Sequence, residues 1–220
     1  LDLSSFDTSN VTNMASMFRY CKALTSLNLS SFNTSKITSM NAMFGDCESL
    51  TSLDLSSFDT SNVTSMRSTF QNCNSLISLD LSNFNTSKVT LMEEMFRSCH
   101  SLLNLNLSGF DTSSVTSTWY MFRDCDKLTE LDLSSFNTSK VTNMNSMFGN
   151  CTTLKTIYVS ELWDVSNVPS SDSIFYNCQL LAGAVSYDRT KTDKTMANYT
   201  TGYLTYKKNT NYLSFYSKNS

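Results

Sequence analysis

Leucines along this chain come in pairs that bracket one polar residue, as in Leu27-Asn28-Leu29, Leu53-Asp54-Leu55 and Leu79-Asp80-Leu81. Successive pairs stand 26 residues apart, and Leu1, Leu27, Leu53, Leu79, Leu105, Leu131 and Ile157 all share one phase. Such alternation buries the leucines on one side of a strand and turns the Asp or Asn to water. Later in the second unit Met40, Met43, Phe44 and Cys47 fall at i, i+3, i+4 and i+7, the apolar stripe of a short helix. Thr38, just ahead of them, is placed to cap that helix through its hydroxyl. Between strand and stripe lies a polar arc, Phe-Asn-Thr-Ser-Lys-Ile in this unit and Phe-Asp-Thr-Ser-Asn-Val in the next. Each unit therefore predicts a strand, a turn-rich arc and a helix of about two turns.

A fixed period of this size marks a solenoid, in which a unit cannot bury its own apolar face and must stack on its neighbours. The Leu-x-x-Leu-x-Leu run is the strand pattern of a leucine-rich repeat. The predicted fold is an α/β repeat, a leucine-rich-repeat solenoid with one parallel β-sheet, short helices on the opposite side and a non-repeat C-terminal cap. Seven units fill residues 1–181, and residues 182–220 leave the period as cap and tail. Strands about 4.8 Å apart make a rod of roughly 30 Å. Leu1 lies inside a unit and the chain does not open with Met, so a fragment with trimmed ends is expected. An open N-terminal unit would expose Leu1, Leu3 and Phe6, which makes end-to-end contact another expectation.

The polar arc alternates with double that period. Asp7, Asp59 and Asp111 take turns with Asn33, Asn85 and Asn137, while Lys36, Lys88 and Lys140 take turns with Asn10, Asn62 and Ser114. Stacked coils would thereby avoid like charges directly opposite one another and bring each Asp near a Lys. Duplication of a two-unit segment gives the same pattern without electrostatics. Overall charge is −3, but residues 1–181 carry ten Lys and Arg against seventeen Asp and Glu, and residues 182–220 carry six against two. A mildly acidic array without a basic stripe argues against nucleic acid as a partner. No apolar run approaches the roughly 20 residues of a membrane span, so direct membrane insertion is not expected.

Cys21, Cys47, Cys73, Cys99, Cys125 and Cys151 recur once per unit, and Cys178 follows after one inserted residue. Parallel side chains in one phase do not bring Cβ atoms together as a disulfide requires, so reduced, buried thiols are expected. No short Cys spacing suits a metal, and no metal or other cofactor is expected. The sole histidine, His100, adjoins Cys99 and invites a Cys–His dyad; a solvated surface histidine is the plainer reading. Nucleophile-elbow, P-loop and zinc-helix motifs are absent, so catalysis is not expected.

Departures from the repeat are the remaining clue. Thr69 and Thr118 stand where other units have a core Met, and Trp119, Tyr120 and Arg123 follow the second of them. Aromatics beside an arginine suit a protein-binding hot spot; Trp119 folding back into the space of the missing Met is the competing expectation. Tyr158 replaces the outward Asp or Asn of the last strand, and Trp163 replaces the recurrent Phe. On the strand face Asp54, Asp80 and Asp132 form a row open to water or to a basic partner. Asp54, Asp80, Asp132, Tyr158, Trp119, Tyr120 and Arg123 are accordingly the candidate protein-binding residues.

The units LDLSSFDTSNVTNM and the following MF and C positions resemble the BspA-like family of leucine-rich-repeat surface proteins in its 26-residue form. The likeness spans residues 1–181, and AGAVSYDRTKTDKTMANYTTGYLTYK resembles the segment that follows the last repeat there. The resemblance implies a bacterial cell-surface or secreted protein that adheres to host extracellular matrix or to neighbouring cells. It carries over no catalytic residues. A structural spacer that displays another domain is the alternative, favoured by the near-uniform Ser, Asp and Asn of the strand face.

Overall fold

A computed structural model describes residues 3–169 and 173–210. The strands are short: β1 (Ser78–Asp80), β2 (Asn104–Asn106), β3 (Glu130–Asp132), β4 (Thr156–Val159) and β5 (Thr205–Tyr206). They pair in parallel as β1-β2 and as β3-β4-β5, so the single sheet expected from the pattern is interrupted into two. Register is one repeat: Leu79 faces Leu105 and Leu131 faces Ile157. A second parallel ladder of single-residue bridges runs through Asn13, Ser39, Ser65, Leu91, Ser117 and Asn143. Two ladders on different arcs of the same coils make the stacked solenoid that the period predicts.

The expected short helices are not there. Among the described residues of the repeats there is no α-helix, and the Met-Phe-Cys segments are runs of turns. In the second coil the amides of Met40, Ala42, Phe44 and Asp46 donate to Ser65, Arg67, Thr69 and Gln71 of the next coil, at 2.7–3.2 Å. The intervening amides of Met43, Gly45 and Cys47 turn back to Met40, Ala42 and Phe44, at 3.0–3.2 Å. No amide is left for the helical i→i−4 bond. A two-turn helix is too short to hold itself together, whereas this arrangement satisfies every second amide from a neighbouring coil. Ala42 and Asp46 take positive φ, 50° and 62°, and the same two positions do so coil after coil. Thr38 is a ladder residue and not a cap: its amide and hydroxyl both donate to the Thr12 carbonyl.

The apolar stripe itself is buried as its spacing implies, with Met40, Met43, Phe44 and Cys47 fully enclosed. Phe18, Phe44, Phe70, Phe96, Phe122, Phe148 and Phe175 stack in a column, centroids 5.5–5.8 Å apart and planes within 8°. Offset stacking of this kind adds to the burial of each ring. Beside the column six cysteine thiols donate to the Phe carbonyl of the preceding coil, from Cys47 on Phe18 at 3.1 Å to Cys178 on Phe148 at 2.9 Å. All seven cysteines are free thiols.

The polar arc is fastened by its threonines. Thr34, Thr60 and Thr86 are buried, and each hydroxyl donates to the carbonyl of an Asp or Asn one coil on while accepting that residue's amide. The Asp and Asn side chains accept from the amide two residues ahead, as Asp59 does from Ser61 and Asn85 from Ser87. Lys36 and Lys88 donate to Asn10 and Asn62 at 2.8 Å; the alternation therefore pairs Lys with Asn, and Asp7 and Asp59 feel Lys36 and Lys88 only through space.

Residues after the last coil fold against its open side. Tyr203 is fully buried and meets Phe175 edge-on, centroids 5.5 Å apart at 87°. Trp163 donates through Nε1 to the Ala197 carbonyl at 3.1 Å, and β5 adds to β4 in parallel. Gly202 is required here, because a Cβ would come within 2.2 Å of the Met196 carbonyl oxygen. At the other end Leu3 is buried, against the expectation that it would be bare, while Phe6 is 50% exposed. Leu1 lies outside the described residues.

Candidate functional site

The outward face of the strands is built from turn chemistry. Asp54 accepts from the Ser56 amide at 2.9 Å, Asp80 from Ser82 at 2.9 Å and Asp132 from Ser134 at 3.0 Å. Backbone and hydroxyl hydrogen bonds from Ser56 and Ser82 hold the Asp54 and Asp80 carboxyls below the usual carboxylate range. The acidic row thus has a local structural role in closing turns.

Toward the C-terminal end the face changes character. Tyr158 on β4 stands in register with Asp132 on β3. Lys207, held at the end of β5 by its amide on the Val159 carbonyl (2.8 Å), reaches back across β4. Its Nζ donates to Asp132 Oδ2 at 2.6 Å and lies 5.4 Å from the centre of the Tyr158 ring. Partial burial works to raise the Asp132 pKa, but hydrogen bonds from Lys207 and Ser134 outweigh it and leave it lowered. The hydrogen bond to Asp132 raises that of Lys207. These residues close one end of a depression of about 520 Å³ that also includes Asp80, Leu103, Leu105, Asn106, Thr129 and Glu130. Leu103 and its neighbour Ile77 are each 49% exposed, at a position filled by Thr51 and Thr129 in adjoining coils. Sequence reasoning passed over this apolar pair and Lys207; the break in the threonine row was the available signal.

Trp119, Tyr120 and Arg123 lie on a different arc and form their own cluster. Trp119 stacks on Tyr120 with centroids 4.5 Å apart, and the guanidinium carbons of Arg123 and Arg97 lie 4.6 and 5.3 Å from the Tyr120 ring centre. Trp119 is half-buried and stands outside the core, so it does not fill the place of the missing Met. Thr118 occupies that place, with its hydroxyl donating to the Met147 sulfur at 3.3 Å. Tyr120 has φ of 57° and Glu94, one coil before it, 56°. Positive φ costs a bulky residue roughly 1–2 kcal/mol. Glu94 is buried and paired with Arg97 at 2.6 Å. Glu93 Oε2, Arg97 Nε and Ser117 Oγ, on the same two coils, are buried without hydrogen-bond partners. Positive φ at this position recurs in six successive coils, whereas three buried polar atoms without partners fall in this cluster.

The Cys99–His100 dyad does not form. Cys99 is enclosed and donates to Phe70, while His100 Nδ1 faces Asp126 Oδ2 at 2.7 Å. No group of three or more His, Cys, Asp or Glu side chains is placed to hold a metal among the described residues. No helix among them is long and apolar enough to cross a membrane.

Residues 1–102 and 75–188 match a protein family described as "Mycoplasma protein of unknown function, DUF285". A leucine-rich repeat protein from Bacteroides ovatus, known from a crystal structure, is similar over 79% of this chain and 70% of its own, at 15% identity and a TM-score of 0.33. No curated protein matches the chain.

Proposed function

The chain belongs to the DUF285 family, and we propose that it serves as a non-catalytic binding module displayed at the cell surface or secreted, with a protein as its partner. The observation that carries this reading is the C-terminal half of the strand face. There Ile77, Leu103 and Tyr158 interrupt an otherwise Ser-, Asp- and Asn-covered surface beside a 520 Å³ depression. Aromatic and aliphatic anchors set in a polar rim are the anatomy of a protein-binding patch. The sequence likeness to BspA-like surface proteins supports adhesion to host extracellular matrix as the finer form of this proposal. The Trp119, Tyr120 and Arg123 cluster is a second surface of the same chemistry.

A structural spacer is the second reading, favoured by the N-terminal half of the same face. Asp54 is engaged in a local turn with Ser56, and Asn28 likewise accepts from Ser30. Binding to a panel of immobilised extracellular-matrix proteins distinguishes the two. A binding module gives saturable binding that Leu103→Asp or Tyr158→Ala weakens at least tenfold, with thermal unfolding unchanged. Absence of binding throughout the panel leaves the spacer.

A further inference from the structure

Lys207 comes from outside the repeats and crosses a strand to reach the face described above. Its ammonium sits between the Asp132 carboxylate, at 2.6 Å, and the Tyr158 ring, at 5.4 Å. A carboxylate on one side and an aromatic face on the other is how proteins hold a primary ammonium. Glu130 and Asp80 lie in the same depression and extend the negative character away from Lys207, toward Leu103. The contact is open to water, with the Lys207 and Asp132 side chains 51% and 44% exposed. An exposed pair of this kind is worth only about as much as a competitor can supply.

We propose that Asp132, Tyr158 and Glu130 form a lysine subsite, that Lys207 is its internal occupant, and that the partner enters by placing a lysine side chain of its own there. The partner is a protein segment that presents a basic residue next to an apolar one. The basic residue takes the place of Lys207 against Asp132, and the apolar residue packs on Leu103 and Ile77. Lys207 thus acts as a plug that sets a threshold for binding. This rests on the binding-module reading and specifies what that module recognises.

The test uses a fluorescein-labelled peptide of alternating lysine and leucine, beside its glutamate–leucine counterpart, titrated by anisotropy against the full chain. Lys207→Ala is expected to bind the lysine peptide about fivefold more tightly than the unaltered protein, the scale of an exposed ion pair. No gain is expected for the glutamate peptide, and adding Asp132→Asn should remove the gain. Circular dichroism melts show whether each variant remains folded. Equal affinity of Lys207→Ala and unaltered protein overturns the proposal, as does a gain that survives Asp132→Asn. If the plug is refuted while Leu103→Asp still abolishes matrix binding, the subsite is wrong and the binding module stands. If neither peptide nor matrix binds, both fall.

Discussion

Thr86 shows how much of this molecule depends on single hydroxyls. It is fully buried, donates to the Asp111 carbonyl at 2.8 Å and accepts the Asp111 amide at 2.9 Å. Thr86→Val keeps the shape but leaves both backbone groups without a partner, at about 1–3 kcal/mol for each. A loss of about 2–6 kcal/mol is expected in urea unfolding, with Thr86→Ser much milder; an undiminished Val variant beside a destabilised Ser variant would show that only the methyl matters. The aspartates act at the same scale. Asp7, Asp54, Asp59 and Asp80 are held below the ordinary range by hydrogen bonds from the serine two residues on. A depressed folded-state pKa stabilises above the unfolded value and is lost as pH falls through the folded one. The melting temperature should therefore hold level above about pH 5 and drop progressively below about pH 4. A flat acid limb in a series of melts would remove the turns from the account. That these residues make turns was readable from Asp and Asn before Ser; the two-way bond of the buried threonine was not, because its partner lies on another coil.

At the scale of the element, the apolar stripe was legible and its conformation was not. Spacings of three and four suit both an α-helix and the run of turns seen here, and the deciding hydrogen bonds go to residues 25 positions away, such as Ala42 to Arg67. From Cys47 onward the cysteines form the buried file that their spacing implied. Burial pushes Cys47 up to about 11 and Cys99 and Cys178 to about 12, with Cys73, Cys125 and Cys151 raised well above the ordinary value. Here the sign is opposite to that of the aspartates. A raised thiol pKa stabilises the fold below the unfolded value, near 9, and the contribution drains away as pH climbs toward 11–12. Alkaline unfolding should begin in that window and move to higher pH in Cys99→Ala once its lower starting stability is allowed for. Aromatic-disulfide titration of the native protein should label Cys21, which is half-exposed, well before the six buried thiols. Fast labelling of more than one thiol would contradict the enclosed file.

For the whole molecule, stability is shared among coils, and the cap closes the last of them. Tyr203 is enclosed by Phe175 and Tyr187, and its hydroxyl donates toward the Asp188 and Lys191 carbonyls while accepting the Asp188 amide. Tyr203→Ala should cost about 3–5 kcal/mol, comparable to Phe96→Ala in mid-column. Calorimetry distinguishes them: loss at the cap should broaden the transition as the final coil frays first, whereas Phe96→Ala should lower it as one. The long-range shape was visible in the period because each coil repeats the same solution. The candidate site was less so. Tyr158 and Asp132 announced themselves by breaking or continuing a row, but Lys207 lies 75 residues from Asp132 in sequence and outside any pattern.

The ring of Tyr203 also carries a rule of growth. Every phenylalanine in the column presents a flat face on which another coil can be laid, so the array can lengthen by inserting units at any interior junction without a new kind of contact. Turned through 87°, Tyr203 offers an edge where the next coil would need a face. The number of coils can therefore change without altering the cap, and the face beside β4 and β5 keeps its geometry however many coils precede it.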